Sequence, residues 1–151
     1  MKKIISVVCL ITISVIVMFA LKGMSQAKTI EAQSSTDSAN KVVVYYFHGT
    51  FRCFTCINME KYSREAIETN FKEALQSGKL EFSSVNVEEH GNEHFEKDYQ
   101  LYTKSLILSL VKDGKEVKSK NLEKIWEYAN NKQEFIDYVT SEINVFLKDS
   151  Q

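Results

Sequence analysis

Lys41 to Phe47 (KVVVYYF) is an unbroken β-branched and aromatic run of strand length. Such a run suits a central strand buried on both faces. His48 to Arg52 then leave the sheet. From Cys53 to Leu75, Ile57, Tyr62, Ala66, Phe71, Ala74 and Leu75 recur at helical spacing, with Ser63 as a point of punctuation. Gly78 ends this helix, and Leu80 to Val87 alternates as a second strand with Leu80, Phe82, Val85 and Val87 as its apolar members. Asn92 to Tyr99 has the pattern of a short helix and Ser105 to Val111 that of a third strand. Asp113-Gly114 signals a tight turn into a fourth strand at Glu116 to Lys118. Asn121 to Ala129 and Gln133 to Leu147 are expected to finish the chain as helix, the latter burying Phe135, Ile136, Val139, Ile143 and Phe146 along one side. The predicted order is β-α-β-α-β-β-α, an α/β class. The first two strands must be parallel, because a helix crosses between them, and the last two antiparallel, because a turn joins them.

Composition narrows the function. The 151 residues are 44 % apolar and 26 % charged, which is globular. Net charge is −1, so no basic field points to nucleic acid. Proline is absent where roughly 5 % is usual, which excludes proline-rich linkers and collagen-like structure. Lys2, Lys3 and Lys22 are the only charges before residue 28, leaving 16 basic and 20 acidic groups in residues 28–151. Ile4 to Leu21 is an eighteen-residue apolar run interrupted only by Ser6, Thr12 and Ser14. A basic start followed by such a run is an export signal. As a helix it would reach roughly 27 Å, close to the thickness of a bilayer core, so it also serves as an uncleaved membrane tether. Ser25-Gln26-Ala27 offers a cleavage site, and the two outcomes stay open. Residues 1 to 27 are thus a signal peptide or membrane anchor, and residues 28 to 40 (KTIEAQSSTDSAN) a flexible spacer. The body, residues 41 to 151, is expected on the far side of the cytoplasmic membrane, anchored or secreted. Cys9, inside the apolar run, is a small apolar residue there.

Two cysteines remain, Cys53 and Cys56, in a compartment where disulfides persist. Three residues apart they close too short a loop to be a useful staple, so a working redox pair makes more sense. Cys53-Phe54-Thr55-Cys56 follows the first strand and opens the first helix. The partial positive charge of a helix N-terminus favours a thiolate at Cys53, and Cys56 can then resolve the mixed disulfide that Cys53 forms. Arg52 either steadies that thiolate or is a solvated surface group. Phe54 is a docking surface for partners or a cover for the helix start, with Thr55 beside it. For His48 at the strand end, a packed and hydrogen-bonded ring is favoured over a proton relay. His90 and His94 stand four apart, but the 33 residues between Cys56 and His90 far exceed finger spacing, so no metal ligand is assigned. Trp126 is expected as a core or partner-facing anchor. No phosphate loop, dinucleotide fingerprint or nucleophile elbow occurs, and no bound cofactor is expected.

With YYFHGTFRCFTC and VNVEEHGNEHFEKDYQLY, residues 41 to 148 resemble the thioredoxin superfamily. HGTFRCFTC, NEHFEKDYQLYTKSL and NLEKIWEYANNKQEFIDYV look more narrowly like the ArsF-type family, small exported thioredoxin-like proteins labelled as a subunit of a nitrophenyl-compound nitroreductase. The resemblance implies a thioredoxin-like three-layer sandwich, with Cys53 as nucleophile and Cys56 as resolving thiol. It also implies an accessory role in a reductase or arsenic-resistance system. Two departures stand out. Thioredoxins carry a cis-proline before the third strand, opposite the cysteines; Thr103-Lys104-Ser105-Leu106 stands here, and a trans peptide with a different substrate groove is expected. Many thioredoxins also bury an acid in the first strand, where Tyr46 or Phe47 stands here, so help for Cys56 must come from water, His48 or Glu60.

The expected function is an exported thiol-disulfide oxidoreductase that exchanges electrons with protein clients and a membrane-embedded donor. The alternative is a copper, zinc or arsenite carrier using the same thiols. A third reading, an inert interaction module, would leave both cysteines dispensable.

Overall fold

The computed structural model describes residues 40–151. The segment expected as signal or anchor and residues 28–39 of the spacer lie outside the described residues. The last spacer residue, Asn40, is anchored: its side-chain amide donates to the Ser150 carbonyl at 3.1 Å. Strand β1 (Lys41–His48) runs beside β2 (Leu80–Asn86) in parallel and β3 (Ser105–Lys112) in antiparallel, and β4 (Lys115–Asn121) closes the order β2-β1-β3-β4. The parallel first pair and the antiparallel last pair are as expected. The continuous apolar run occupies an interior position with a ladder on each side.

Helices α1 (Phe54–Asn70) and α4 (Lys132–Asp149) pack on one sheet face, where Val42, Val44 and Tyr46 meet Met59, Ala66, Ile67, Phe135, Val139, Ile143 and Phe146. Strand alternation turns Tyr45 and Phe47 to the other face. There the short helix α3 (His94–Asp98) and the residue after it supply Phe95 and Tyr99, with ring centroids 5.1 Å and 5.4 Å from Phe47. The three expected layers are therefore unequal: two long helices on one side, one turn and a half on the other.

The first helix differs from expectation. Ser63 does not interrupt it; that residue is buried mid-helix and its hydroxyl donates to the Met59 carbonyl at 2.8 Å. The break falls at Phe71, whose backbone leaves helical geometry (φ −129°, ψ 33°) as its ring enters the core, and α2 (Lys72–Gln76) restarts beyond it. The helix expected at Asn121 to Ala129 is also corrected. Strand β4 runs through Asn121, and only a 3-10 turn, Glu123–Ile125, follows. Leu122, Ile125 and Ala129 are buried, so the apolar spacing was meaningful, but bonds such as Ile125 N–H to Leu122 carbonyl at 3.1 Å are the shorter turn type. Asn131 then caps α4, its side chain accepting from the Glu134 N–H at 3.3 Å.

The hairpin turn has Asp113 and Gly114 both at positive φ, 51° and 74°, as a two-residue type I′ connection requires. Strand β4 is longer than the expected Glu116 to Lys118, and every residue of it is exposed. Its pairing skips Val117, since Leu110 faces Lys118 while Val111 faces Glu116. This is a bulge in an edge strand. Among the described residues no helix is long and apolar enough to cross a membrane.

Candidate active site

Cys53 and Cys56 are joined as a disulfide with their Cα atoms 5.1 Å apart. Cys53 is the N-cap of α1. Its backbone is extended (φ −77°, ψ 163°), its carbonyl accepts from the Ile57 N–H at 3.0 Å, and its Sγ accepts from the Cys56 N–H at 3.2 Å. Sulfur takes the place that a serine or aspartate oxygen fills at most helix starts. The first turn of α1 holds no acidic residue, so nothing on the helix itself offsets the positive end of its dipole there. Once the disulfide is opened, negative charge on Cys53 Sγ meets both the dipole and a backbone donor, the conditions that depress a thiol pKa. Cys56 is buried at 2 % exposure and Cys53 is exposed, so only one of the two sulfurs offers a route for an incoming disulfide.

Beneath the pair lies Tyr46, fully buried on β1. Its hydroxyl donates to the Cys56 carbonyl at 2.7 Å. Burial pushes the phenol up to about 12, against the pull of Arg52, so the hydroxyl stays a proton donor at neutral pH. A tyrosine here is thus a strut between sheet and helix start. Because the Cys56 carbonyl has a second lone pair for the helix, Tyr46→Phe is expected to cost the oxidised protein about 1 kcal/mol. Urea denaturation with an unchanged slope is the measurement.

Arg52 does not reach into solvent. Its Nη2 pairs with Glu60 Oε2, its carbon Cζ sits 5.8 Å from the centroid of the Tyr46 ring, and both partners are largely shielded. Partial burial opposes ionisation of Glu60, but hydrogen bonds from Arg52 and Ser84 and the charges of Arg52 and His48 outweigh it, leaving the carboxyl below its ordinary value. His48 is packed: its Nδ1 donates to the Gly49 carbonyl at 2.9 Å and its ring lies 6.2 Å from that of Tyr46. At Gly49 an added Cβ would collide with the Glu88 carboxylate, which accepts from the Thr50 N–H at 2.9 Å. That backbone bond holds Glu88 below the usual carboxylate range.

Phe51 and Phe54 flank the cysteines at 81 % and 79 % exposure, and Ile57 is half exposed one turn on. Thr55, between Phe54 and Cys56, is partly buried. The sequence marks Phe54 as a docking candidate and Ile57 only as an apolar helical position; the exposure of Ile57 and Phe51 depends on the helix start that aims them. Thr103, Lys104 and Ser105 lead into β3, where Ser105 pairs with Phe47. Thr103 and Lys104 share a small cavity with His48, Gly49 and Tyr102, the last 93 % exposed. Ser105 Oγ donates to the Thr103 carbonyl at 3.0 Å, and Trp126 Nε1 to the Lys104 carbonyl at 3.2 Å. Trp126 is 41 % exposed and so is not the core anchor that was one of its two expected roles; its N–H ties down the segment that lacks proline.

The histidines at 90 and 94 face carboxylates of their own segment: His94 Nδ1 lies 2.7 Å from Asp98 Oδ2, and His90 Nδ1 is 3.7 Å from Glu93. Among the described residues no three His, Cys, Asp or Glu side chains converge as a metal site.

No protein-family model and no curated protein matches the sequence. Solved structures similar to it include Fasciola hepatica thioredoxin, at 25 % identity over 62 % of this chain and 83 % of that one, with a TM-score of 0.37. An Entamoeba histolytica thioredoxin mutant is 23 % identical over 66 % of this chain and 83 % of that one (TM-score 0.37). Chloroplastic thioredoxin z is 13 % identical over 65 % and 83 % (TM-score 0.38).

Proposed function

We propose that this chain is an exported thiol-disulfide oxidoreductase that cycles Cys53 and Cys56 between dithiol and disulfide. The observation that carries it is the N-cap position of Cys53, with its sulfur held by the Cys56 N–H. In the reducing direction the Cys53 thiolate attacks one sulfur of a client disulfide, forming a mixed disulfide and releasing a client thiolate that takes up a proton. Cys56 then loses its proton and attacks Cys53 Sγ. The internal disulfide forms, the second client thiolate leaves, and the client has gained two electrons. Run backwards, the same steps oxidise a client dithiol.

Protein clients suit the exposed Phe51 and Phe54 beside the sulfurs. The basic start and apolar run at residues 1–21 support export and a membrane tether, with a membrane-embedded donor returning electrons. The ArsF-type resemblance adds a reductase or arsenic-resistance system as the setting.

The test is reduction of a model protein disulfide by dithiothreitol, with and without the full-length protein. Acceleration that disappears in the Cys53→Ser/Cys56→Ser double variant is the expected result. A rate equal to the uncatalysed one, together with stoichiometric arsenite or copper binding that depends on both cysteines, would replace this reading with the carrier alternative.

A further inference from the structure

Arg52 flanks Cys53, and an arginine beside a nucleophilic sulfur would by itself stabilise a thiolate. The guanidinium is not free to act alone. Its Nη2 is bound by Glu60, its Nε is buried with no hydrogen-bond partner among the described residues, and the Tyr46 ring lies against it. Glu60 is the first acidic residue along α1, one helical turn beyond Cys56, and it also faces Arg64, whose Nη2 is 3.6 Å from Glu60 Oε1. The Arg52 and Glu60 side chains are only 25 % and 17 % exposed, so solvent screens the pair incompletely. Tyr46 joins the cluster to the cysteines through the Cys56 carbonyl.

We infer that Glu60 sets the redox poise of the Cys53–Cys56 couple by compensating the charge of Arg52. The inference rests on the reading of the two cysteines as a redox pair. Reduction takes two electrons and one proton to leave a Cys53 thiolate and a Cys56 thiol, so charge near Cys53 acts on the reduced state and hardly at all on the disulfide. With Glu60 in place the thiolate feels a paired arginine, and the couple is more reducing than an unpaired Arg52 would make it. Glu60 is a positioning residue here; it touches no reacting atom.

The full-length protein is equilibrated in glutathione redox buffers at pH 7, the reduced fraction is read by alkylation, and the Cys53 pKa by thiolate absorbance. Glu60→Gln is expected to shift the equilibrium with glutathione about tenfold toward the dithiol, roughly 30 mV more oxidising, and to lower the Cys53 pKa. Arg52→Gln is expected to shift it the other way, Glu60→Asp to stay near wild type, and Glu60→Gln to have little effect in the Arg52→Gln background. Glu60→Gln within twofold of wild type, or an equal shift in both backgrounds, overturns the inference while leaving the redox reading intact. If Glu60→Gln does not fold, Arg52→Gln decides: a shift toward the disulfide supports the inference and no shift overturns it. A wild-type pair that does not exchange with glutathione at all overturns both.

Discussion

In a Cys56→Ser variant, exchange with a client disulfide is expected to halt at a stable mixed disulfide through Cys53, whereas Cys53→Ser should lower the exchange rate by roughly a hundredfold or more and trap nothing. The asymmetry follows from placement. Cys53 is exposed at the N-cap, where the dipole and a backbone N–H await its negative charge. Cys56 is buried over the Tyr46 hydroxyl and its own N–H is taken by the capping sulfur, so it has neither the access nor the field to replace its partner. Non-reducing gels of the two single variants against a disulfide-bonded substrate give the readout. Equal trapping by both would mean that the helix start does not discriminate between the sulfurs.

Phe135→Ala is the substitution with the largest expected effect on folding, about 3–5 kcal/mol. Phe135 is fully buried in the first turn of α4, next to the capping Asn131, and packs edge-on against Tyr62 of α1 with ring centroids 5.7 Å apart. Removing the ring opens a void between the two long helices that form the thick side of the core, where neither helix can close in without leaving the sheet. At about 4 °C or more per kcal/mol, the melting temperature should fall by at least roughly 12 °C. By contrast Phe54→Ala removes a ring that touches mostly water and should change stability by no more than about 0.5 kcal/mol. Thermal melts of the two variants, each oxidised, test the pair of statements.

Much of this architecture is legible along the chain because burial imposes period and composition locally. Val42 to Phe47 could only be an interior strand, and Asp113-Gly114 could only be a tight hairpin turn. The cysteine pair announced itself through its position between that strand and a helical pattern. What was not legible depends on where chain segments meet. Glu60 is eight residues from Arg52, and nothing in their spacing says that the chain entering α1 folds the guanidinium back onto that carboxylate. Tyr46 and Phe47 are equal candidates for the acid's place in the sequence, and the bond from Tyr46 to the Cys56 carbonyl needs the helix start to pass directly over β1. The segment from Asn121 to Ala129 misled because Leu122, Ile125 and Ala129 are spaced as on a helix and are indeed buried, while the backbone reaches the same burial through successive turns.

The bulged, fully exposed β4 has a consequence for how the chain behaves in a crowd of its own copies. An edge strand is a template for further strands, and proteins often block it with proline, which this sequence does not contain. Lys115, Lys118 and Lys120 stand along β4 instead, with the skipped Val117 breaking its regular ladder, and Lys118 and Lys120 reach across to Asp149 and Glu142 of α4. A second molecule adding to this edge would have to strip water from ammonium groups and follow an irregular register. Resistance to aggregation on this side is therefore largely made of charge, and its strength falls as added salt shortens the reach of those charges.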